Sequence, residues 1–339
     1  MVTIKDVANA AGVSPTTVSN VIHGYHTRVS EETSAKILSV IEELGYVPNL
    51  SARSLVSRSS HVIAMINNIM AGDTSDIILN PFRLLAVSQI EASLREFGYY
   101  LMLRTCQSGQ ELKTFLQNWN VDGIFVTGPM GQDFLEVLLQ TDKSIVLLDS
   151  NIHECSLSSV SQDDFRGGYL SAQFLLDHGH SKIGYATLPT ENTCSISKRY
   201  EGFCKALQEA GLEPDPAFCF KFDDTCPDSY DQAVSEICQA ISSGMTALGT
   251  SSDHIAMVIR YRLHRLGIES PDSLSVIGFG DLIQHLTFLP EVTTVHYDFQ
   301  KKAAVAVEYM QELLSGKRTV PGHMILPVSI IDRGSVRQI

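Results

Sequence analysis

From His61 onward, short apolar runs of strand length alternate with stretches of helical period, and this alternation narrows the possible folds more than any other feature. The runs are His61-Val-Ile-Ala-Met-Ile66, Tyr99 to Leu103, Gly123-Ile-Phe-Val126, Ile145-Val-Leu-Leu148, Lys182 to Ala186, Cys219 to Phe222, Ala247-Leu-Gly-Thr250 and Ser275-Val-Ile-Gly278. Helical patterns lie between them, including Leu84 to Phe97, Phe165 to His178, Arg199 to Ala210, Tyr230 to Ile241 and His254 to Leu266. Strand–helix units in series build parallel sheets covered on both faces. Two such sets, divided near Phe165, predict an α/β body of two doubly wound parallel-sheet subdomains. A ligand is expected in the cleft beyond the carboxyl ends of the strands.

The chain has 339 residues, too many for one compact core, so two or three domains are expected. With 44% hydrophobic and 19% charged residues it reads as a soluble globular protein. No apolar run approaches the ~20 residues that span a bilayer. The N-terminus carries no basic-then-apolar signal region, so a cytoplasmic protein is expected. The seven cysteines are odd in number and show no C-x-x-C spacing, which reads as free thiols in a reducing compartment. The eleven histidines form no H-E-x-x-H pair, so no metal or other cofactor is expected.

No catalytic constellation is present either. Gly278-Phe-Gly280 and Arg166-Gly-Gly168 do not complete a phosphate loop, and no G-x-S-x-G elbow occurs. An enzyme and a plain solute-binding module stand as competing classes. The lack of an acid–base or nucleophile pair counts against the first, and the missing signal segment against the second.

A different pattern precedes the alternation. Thr3 can cap a first helix with Asp6 three residues on, and Ile4, Val7, Ala8 and Ala11 make one apolar face. Gly12 breaks this helix, Ser14 caps a second, and Pro15 stands at its first position. Val18, Val21 and Ile22 form the buried side of the second helix; Thr16, Thr17, Ser19 and Asn20 lie elsewhere on its surface. The layout fits an ordinary helical hairpin and equally a helix-turn-helix, whose second helix turns its first residues towards base edges. Ser30 caps a third helix on which Ile37, Leu38, Ile41 and Leu44 repeat, and Gly45 and Pro48 end it. Asn49 to Val56 would make about two helical turns, marginal alone. Within it, Leu55 suits either a minor-groove wedge or packing against the head.

The formal net charge of −13 falls entirely outside this region. Residues 1–60 hold five basic and five acidic side chains, and the remainder holds 20 basic and 33 acidic. A neutral head neutralises few phosphates and so binds random DNA weakly. Two heads with base-specific contacts would compensate, which argues for a dimer.

Thr3-Ile-Lys-Asp-Val-Ala8, Ala11-Gly-Val-Ser14, Thr17-Val-Ser19, Val29-Ser30, Leu44-Gly-Tyr-Val-Pro-Asn49 and Ala52-Arg-Ser-Leu55 together resemble the lac-repressor/purine-repressor family of transcriptional regulators. The body resembles that family's periplasmic-binding-protein-like core through Asn80-Pro-Phe82, Gly179-His180, Arg199-Tyr-Glu-Gly-Phe203, Val276-Ile-Gly-Phe279, Thr293-Thr-Val295, Leu326-Pro327 and Asp332-Arg333. The resemblance implies a sequence-specific DNA-binding regulator, of the repressor kind, controlled by a small-molecule effector such as a sugar or related metabolite. Its partners would be a pseudo-palindromic DNA operator and a second copy of the chain, or a tetramer, with no membrane. It also implies a helix-turn-helix head over residues 1–48 and a hinge helix and linker over 49–60. The first core subdomain would take 61–160 with 292–320 and the second 161–291 with 321–339, crossing near Ser161, Glu291 and Val320.

By the same resemblance, Pro15, Thr16 and Asn20 read bases, supported by Thr3, Ser14, Thr17, Ser19 and Arg28. Pro15 has no side-chain hydrogen bond to give, so Thr16 and Asn20 carry more of the readout, and an Asn suits a bidentate contact with adenine. The hinge contributes Asn49, Ala52, Arg53, Ser54 and Leu55. Effector-binding positions are Asn80, Phe82, Asp149, Arg199, Asp224, Ser252, Asp253 and Asp281. An arginine such as Arg199 grips hydroxyls or a carboxylate, with a structural ion pair as the lesser alternative. Asp149 can accept from hydroxyls or cap a turn. The sequence departs from the family at Ser252-Asp253 in place of Asn-Asp. It departs again at Gly280 in place of an Asp, and at Asp224 near the place of a stacking aromatic. These changes leave open Asp281 as a substitute carboxylate, a larger effector, or another effector class.

Overall fold

The computed structural model describes residues 2–22, 28–47, 59–69, 81–128, 130–150, 156–188, 194–223, 227–282 and 291–339, with backbone alone for 81–83, 194 and 227. The hinge residues Asn49, Ala52, Arg53, Ser54 and Leu55, together with Asn80, Asp224 and the side chain of Phe82, lie outside the described residues. The chain divides into two compact units, Met1–His61 and Val62–Ile339.

The first unit contains α1 (Ile4–Ala11), α2 (Pro15–Ile22) and α3 (Glu31–Leu44). Thr3 and Asp6 close a reciprocal capping box: the Thr3 backbone N–H donates to Asp6 Oδ2 at 2.8 Å and the Asp6 N–H to Thr3 Oγ1 at 3.4 Å. The Thr3 hydroxyl and backbone donors hold the Asp6 carboxyl below its ordinary pKa. Gly12 ends α1 at φ +68°, a left-handed conformation that a Cβ would strain. Val7, Ala8, Ala11, Val18, Val21 and Ile37 bury the seam between the three helices.

The second unit holds two six-stranded sheets. Its elements in chain order are β1 (Val62–Asn68), α4 (Pro81–Glu96), β2 (Tyr100–Cys106), α5 (Gly109–Asn118), β3 (Gly123–Thr127), α6 (Gln132–Gln140), β4 (Ser144–Leu148) and β5 (Ser158–Gln162). There follow α7 (Asp164–Asp177), β6 (Ile183–Thr187), α8 (Cys194–Glu209), β7 (Cys219–Lys221), α9 (Pro227–Ser242), β8 (Ala247–Thr250), α10 (Asp253–Arg265) and β9 (Ser275–Phe279). The chain ends with β10 (Thr293–His296), α11 (Phe299–Leu314), β11 (His323–Leu326) and β12 (Ser329–Ile331). The sheet orders are β11-β5-β4-β3-β1-β2 and β12-β10-β9-β8-β6-β7. All described pairings are parallel except β10 with β12.

Alternation along each strand sends neighbouring residues to opposite faces. In the first sheet Ile63, Met65, Phe125 and Val146 pack with Ile90 and Leu94 of α4 and Val307 and Met310 of α11. Ala64, Ile66, Ile124 and Val126 pack on the other face with Leu112 of α5 and Phe134 of α6. In the second sheet Leu248 and Val276 meet Ile237 of α9 and Ile259 of α10, while Tyr185 and Ile277 meet Leu175 of α7 and Phe203 of α8.

Two of the expected subdomain crossings fall later in the chain. Strand β10, placed by expectation in the first subdomain, pairs with β9 of the second sheet, so the crossing comes between His296 and Phe299. Strand β11, expected in the second subdomain, pairs with β5 of the first, so the third crossing comes between Leu326 and Ser329. The physical reason is that β10 is held by polar bonds rather than apolar pattern. Thr293 Oγ1 donates to Asp332 Oδ1 at 2.9 Å and Thr294 Oγ1 to Asp253 Oδ1 at 2.6 Å, both from fully buried threonines of the second sheet.

Two glycines bring α7 and α8 together. A Cβ on Gly168 would lie 1.8 Å from the Arg199 carbonyl oxygen, and one on Gly202 would lie 1.9 Å from that of Phe165. Both obstacles are backbone, so neither can swing aside. Gly168→Ala is expected to destabilise the chain by about 2–3 kcal/mol in denaturant unfolding, against near-neutrality for alanine at an ordinary buried helix glycine.

Candidate functional site

In the head, the surface of α2 is prepared by its cap. The Thr17 N–H donates to Ser14 Oγ at 3.1 Å, and the two hydroxyls lie 2.9 Å apart in a shared hydrogen bond. Ser14 and Thr17 are thus occupied within the turn. Pro15 and Thr16 are exposed at the start of the helix, and Asn20 is half-exposed one turn on from Thr16. No described residue hydrogen-bonds the Thr16 or Asn20 side chains, while Val18 and Val21 face the core. Thr3 is spent on the α1 cap, Ser19 is half-buried, and Arg28 is exposed.

In the body, polar groups converge where the strands of both sheets end. Arg199 on α8 donates from Nε to Asp164 Oδ1 at 2.8 Å and from Nη1 to the Ser251 carbonyl at 2.7 Å. Its guanidinium lies 3.8 Å from the Phe279 ring centroid. The side chain keeps 11% of its surface exposed, and Nη2 makes no hydrogen bond to a described residue. Burial works against the charge on Arg199, but Asp164, together with Tyr297 and Tyr185, outweighs this and holds its pKa above the ordinary value. Burial pushes the Asp164 carboxyl up, against the pull of Arg199 and Gln162.

Gln162, the last residue of β5, joins this pair to a second. Its Nε2 donates to Asp164 Oδ1 at 2.9 Å and its Oε1 accepts from Lys302 Nζ at 3.0 Å. Lys302 on α11 also forms an ion pair with Asp149 Oδ1. Asp149 stands directly after β4 at φ +57°, and its carbonyl accepts from Ser195 Oγ of α8 at 2.9 Å. A continuous chain of polar side chains therefore runs from the first sheet to the second.

The three remaining positions within the described residues are more tightly held. Ser252 caps α10, accepting from the Ile255 N–H at 3.3 Å. Asp253 is fully buried; Oδ1 accepts from Thr294, and Oδ2 accepts from the Leu282 N–H at 2.8 Å. Gly278 must lack a Cβ, which would sit 2.0 Å from Asp253 Oδ1. Asp281 gives Oδ2 to His296 Nδ1 at 2.8 Å and Oδ1 to the Arg333 guanidinium. Asp281 is therefore no spare carboxylate for the one absent at Gly280, because His296 and Arg333 converge on it.

Buried side-chain atoms without a hydrogen-bond partner gather at the same strand ends. They include Asp164 Oδ2, Ser251 Oγ and both amide atoms of Asn67; only Ser34 and Ser270 add to these among the described residues. Orphaned buried polar atoms are costly, and among the described residues they concentrate here. Gln162, Asp164, Asn67 and Lys302 were not singled out in the sequence. Lys302 does leave a signal: it interrupts the buried stripe of Phe299, Ala303, Ala306 and Val307. Among the described residues no group of three or more His, Cys, Asp or Glu could hold a metal ion, and no helix is long and apolar enough to cross a membrane.

Residues 3–49 match the family model of bacterial regulatory proteins of the lacI family, and residues 172–336 match that of a periplasmic binding protein-like domain. The transcriptional repressor PurR of Photobacterium profundum is 31% identical over 325 residues, covering 94% of this chain and 93% of that protein. The transcriptional regulator RegA of Clostridium saccharobutylicum is 30% identical over 339 residues, covering 98% of each. The chain belongs to the lacI family. Its fold matches a Lac repressor dimer bound to operator and the anti-inducer ONPF, with a TM-score of 0.82, 24% identity and 99% of each chain covered. A complex of the regulator CelR with cellobiose gives a TM-score of 0.70 at 25% identity, covering 99% of this chain and 100% of that one. As a lacI-family member this protein is a DNA-binding transcriptional regulator of the repressor kind, and not an enzyme.

Burial raises the Asp253 carboxyl to about 6, with the Thr294 and Leu282 bonds opposing. An acid raised in the folded state penalises folding once both states are ionised. The stability of the wild type relative to Asp253→Asn should therefore fall as pH rises from about 4 to about 6, by about 2–3 kcal/mol in all. Denaturant unfolding of both proteins across this range measures it; a difference independent of pH contradicts the assignment.

Proposed function

We propose that this regulator works as a homodimer in the cytoplasm, with two heads on a pseudo-palindromic operator and a small-molecule effector closing the cleft of each body. The observation that carries the reading is the Arg199–Asp164 pair: a buried arginine with a spare Nη2 stands beside an orphaned carboxylate oxygen and an orphaned Ser251 hydroxyl. Such a set donates to and accepts from a ligand at no cost in existing bonds. Asp149 offers its second oxygen on the facing wall. Asn80, Phe82 and Asp224 belong to the same cleft in this proposal, while Ser252, Asp253 and Asp281 shape it from behind.

On the DNA side, Thr16 and Asn20 read bases, and Pro15 sets the approach of the helix. Leu55 from each copy enters the minor groove at the operator centre, with Asn49, Ala52, Arg53 and Ser54 completing the hinge. The effector acts by shifting the population between DNA-competent and incompetent dimers. The electrical neutrality of residues 1–60 supports this reading, since weak non-specific binding makes occupancy sensitive to whether both heads engage.

An operator selected from random duplexes tests the DNA side. Asn20→Ala should relax preference at one symmetric pair of bases, at about 1–3 kcal/mol per contact. Leu55→Ala should reduce specific affinity sharply while leaving random-DNA binding almost unchanged. Unaltered specificity in the first, or equal loss on both DNAs in the second, contradicts those roles. For the cleft, a thermal-shift screen of sugars, nucleobases and phosphorylated metabolites identifies the ligand by its stabilisation of the native state. Arg199→Ala should abolish the response, and a full response in that variant removes Arg199 from the site.

A further inference from the structure

Lys302 is the least expected residue of the cleft. It is 5% exposed, on the buried face of α11, and a lysine there is costly unless its ammonium has work to do. Asp149 and Gln162 take two of its three donors. Its Nζ stands 5.2 Å from the centroid of the Tyr297 ring, so an aromatic face shares the charge.

Beside Lys302 and Asp149 a small pocket opens between the first sheet and helices α4 and α11, lined also by Gln89, Thr127, Leu148 and Ala303. Asn67 pairs in register with Thr127 and follows Ile63 and Met65 on the same face, so alternation turns its amide to this side of the sheet. Both amide atoms of Asn67 are buried without a partner. No described residue hydrogen-bonds the side chains of Gln89 or Thr127. Two carboxamides and a hydroxyl both donate and accept, and the second Asp149 oxygen only accepts. Hydroxyl groups match that set, because each one also donates and accepts.

Charge decides between ligand classes. Arg199 is matched by Asp164 and Lys302 by Asp149, so among the described residues lining the cleft an anionic ligand finds no unmatched cation and meets the free oxygen of Asp149. An apolar ligand end would bury Asn67, Lys302 and Asp149 against carbon. Building on the reading that the cleft takes an effector, we propose that the Lys302–Asp149 pair is a specificity-determining element that admits an uncharged, hydroxyl-bearing end of the effector and rejects anionic and apolar ends.

The test uses the full-length protein with matched probes: free hexoses and pentoses, the 6-deoxy analogues of the hexoses, and their 6-phosphates. Binding is read by thermal shift and titration. Wild type should bind one or more free sugars at least tenfold more tightly than the 6-deoxy and 6-phosphate counterparts. Lys302→Met should weaken the free sugar by about ten- to a hundredfold while changing the 6-deoxy analogue little, since a hydrogen bond to a charged group is lost for one and not the other. Lys302→Met with Asp149→Asn removes both charges, avoids an unpaired carboxylate, and should show the same loss of preference. A merely structural role for Lys302 would lower both probes equally, and that result overturns the proposal. So does a wild type that prefers the 6-phosphates or responds to none of the sugars. If another metabolite class then alters operator affinity, the effector reading stands and only the selectivity of this pocket is lost.

Discussion

The body of this protein depends on two charges that have been taken out of water together. Arg199 and Asp164 are both nearly dry, and burying either charge without the other would be costly. Each neighbour answers that constraint. Gln162 supplies a donor to the carboxylate, the Ser251 carbonyl accepts from the guanidinium, and the Phe279 ring covers its flat face. The helices carrying the two residues can come close enough only because Gly168 and Gly202 lack side chains. The pair also carries a polar chain to Lys302 and Asp149, so a requirement of electrostatics links both sheets at the level where a ligand would sit.

The sequence made the apolar parts of the fold plain. Runs such as Gly123–Val126 and Ile145–Leu148 became strands β3 and β4 with boundaries moved by a residue or so, and the caps at Thr3, Ser14 and Ser30 form as expected. What stayed hidden was polar. Strand β5 consists of Ser158, Ser159, Val160, Ser161 and Gln162, all buried, with its side chains satisfied in part by Gly322, His323 and Lys302. No hydrophobic period announces such a strand. Strand β10 escaped in the same way, and that displaced the expected second crossing.

For the cleft, Arg199 and Asp149 could be named from the sequence because one stands in a family motif and the other directly follows a strand. Asp253 and Asp281 were legible as residues but not in their commitments, since His296, Arg333 and Thr294 reach them from distant parts of the chain. The importance of Lys302 lay in an interrupted stripe, a pattern with meaning only once the burial of α11 is known. In the head the relation between sequence and structure is closer, because capping and helical spacing act over a few residues.

The three chain crossings, after Gln162, after His296 and after Leu326, have a mechanical consequence. Two bodies tied by a single strand of chain can slide, twist and separate almost independently. Tied at three places, they keep little beyond one coordinate of opening. A small molecule wedged into the cleft then cannot be accommodated piecemeal; whatever displacement it favours is transmitted as a single angle, and a molecule of a few ångströms can set a quantity that a whole subdomain reports.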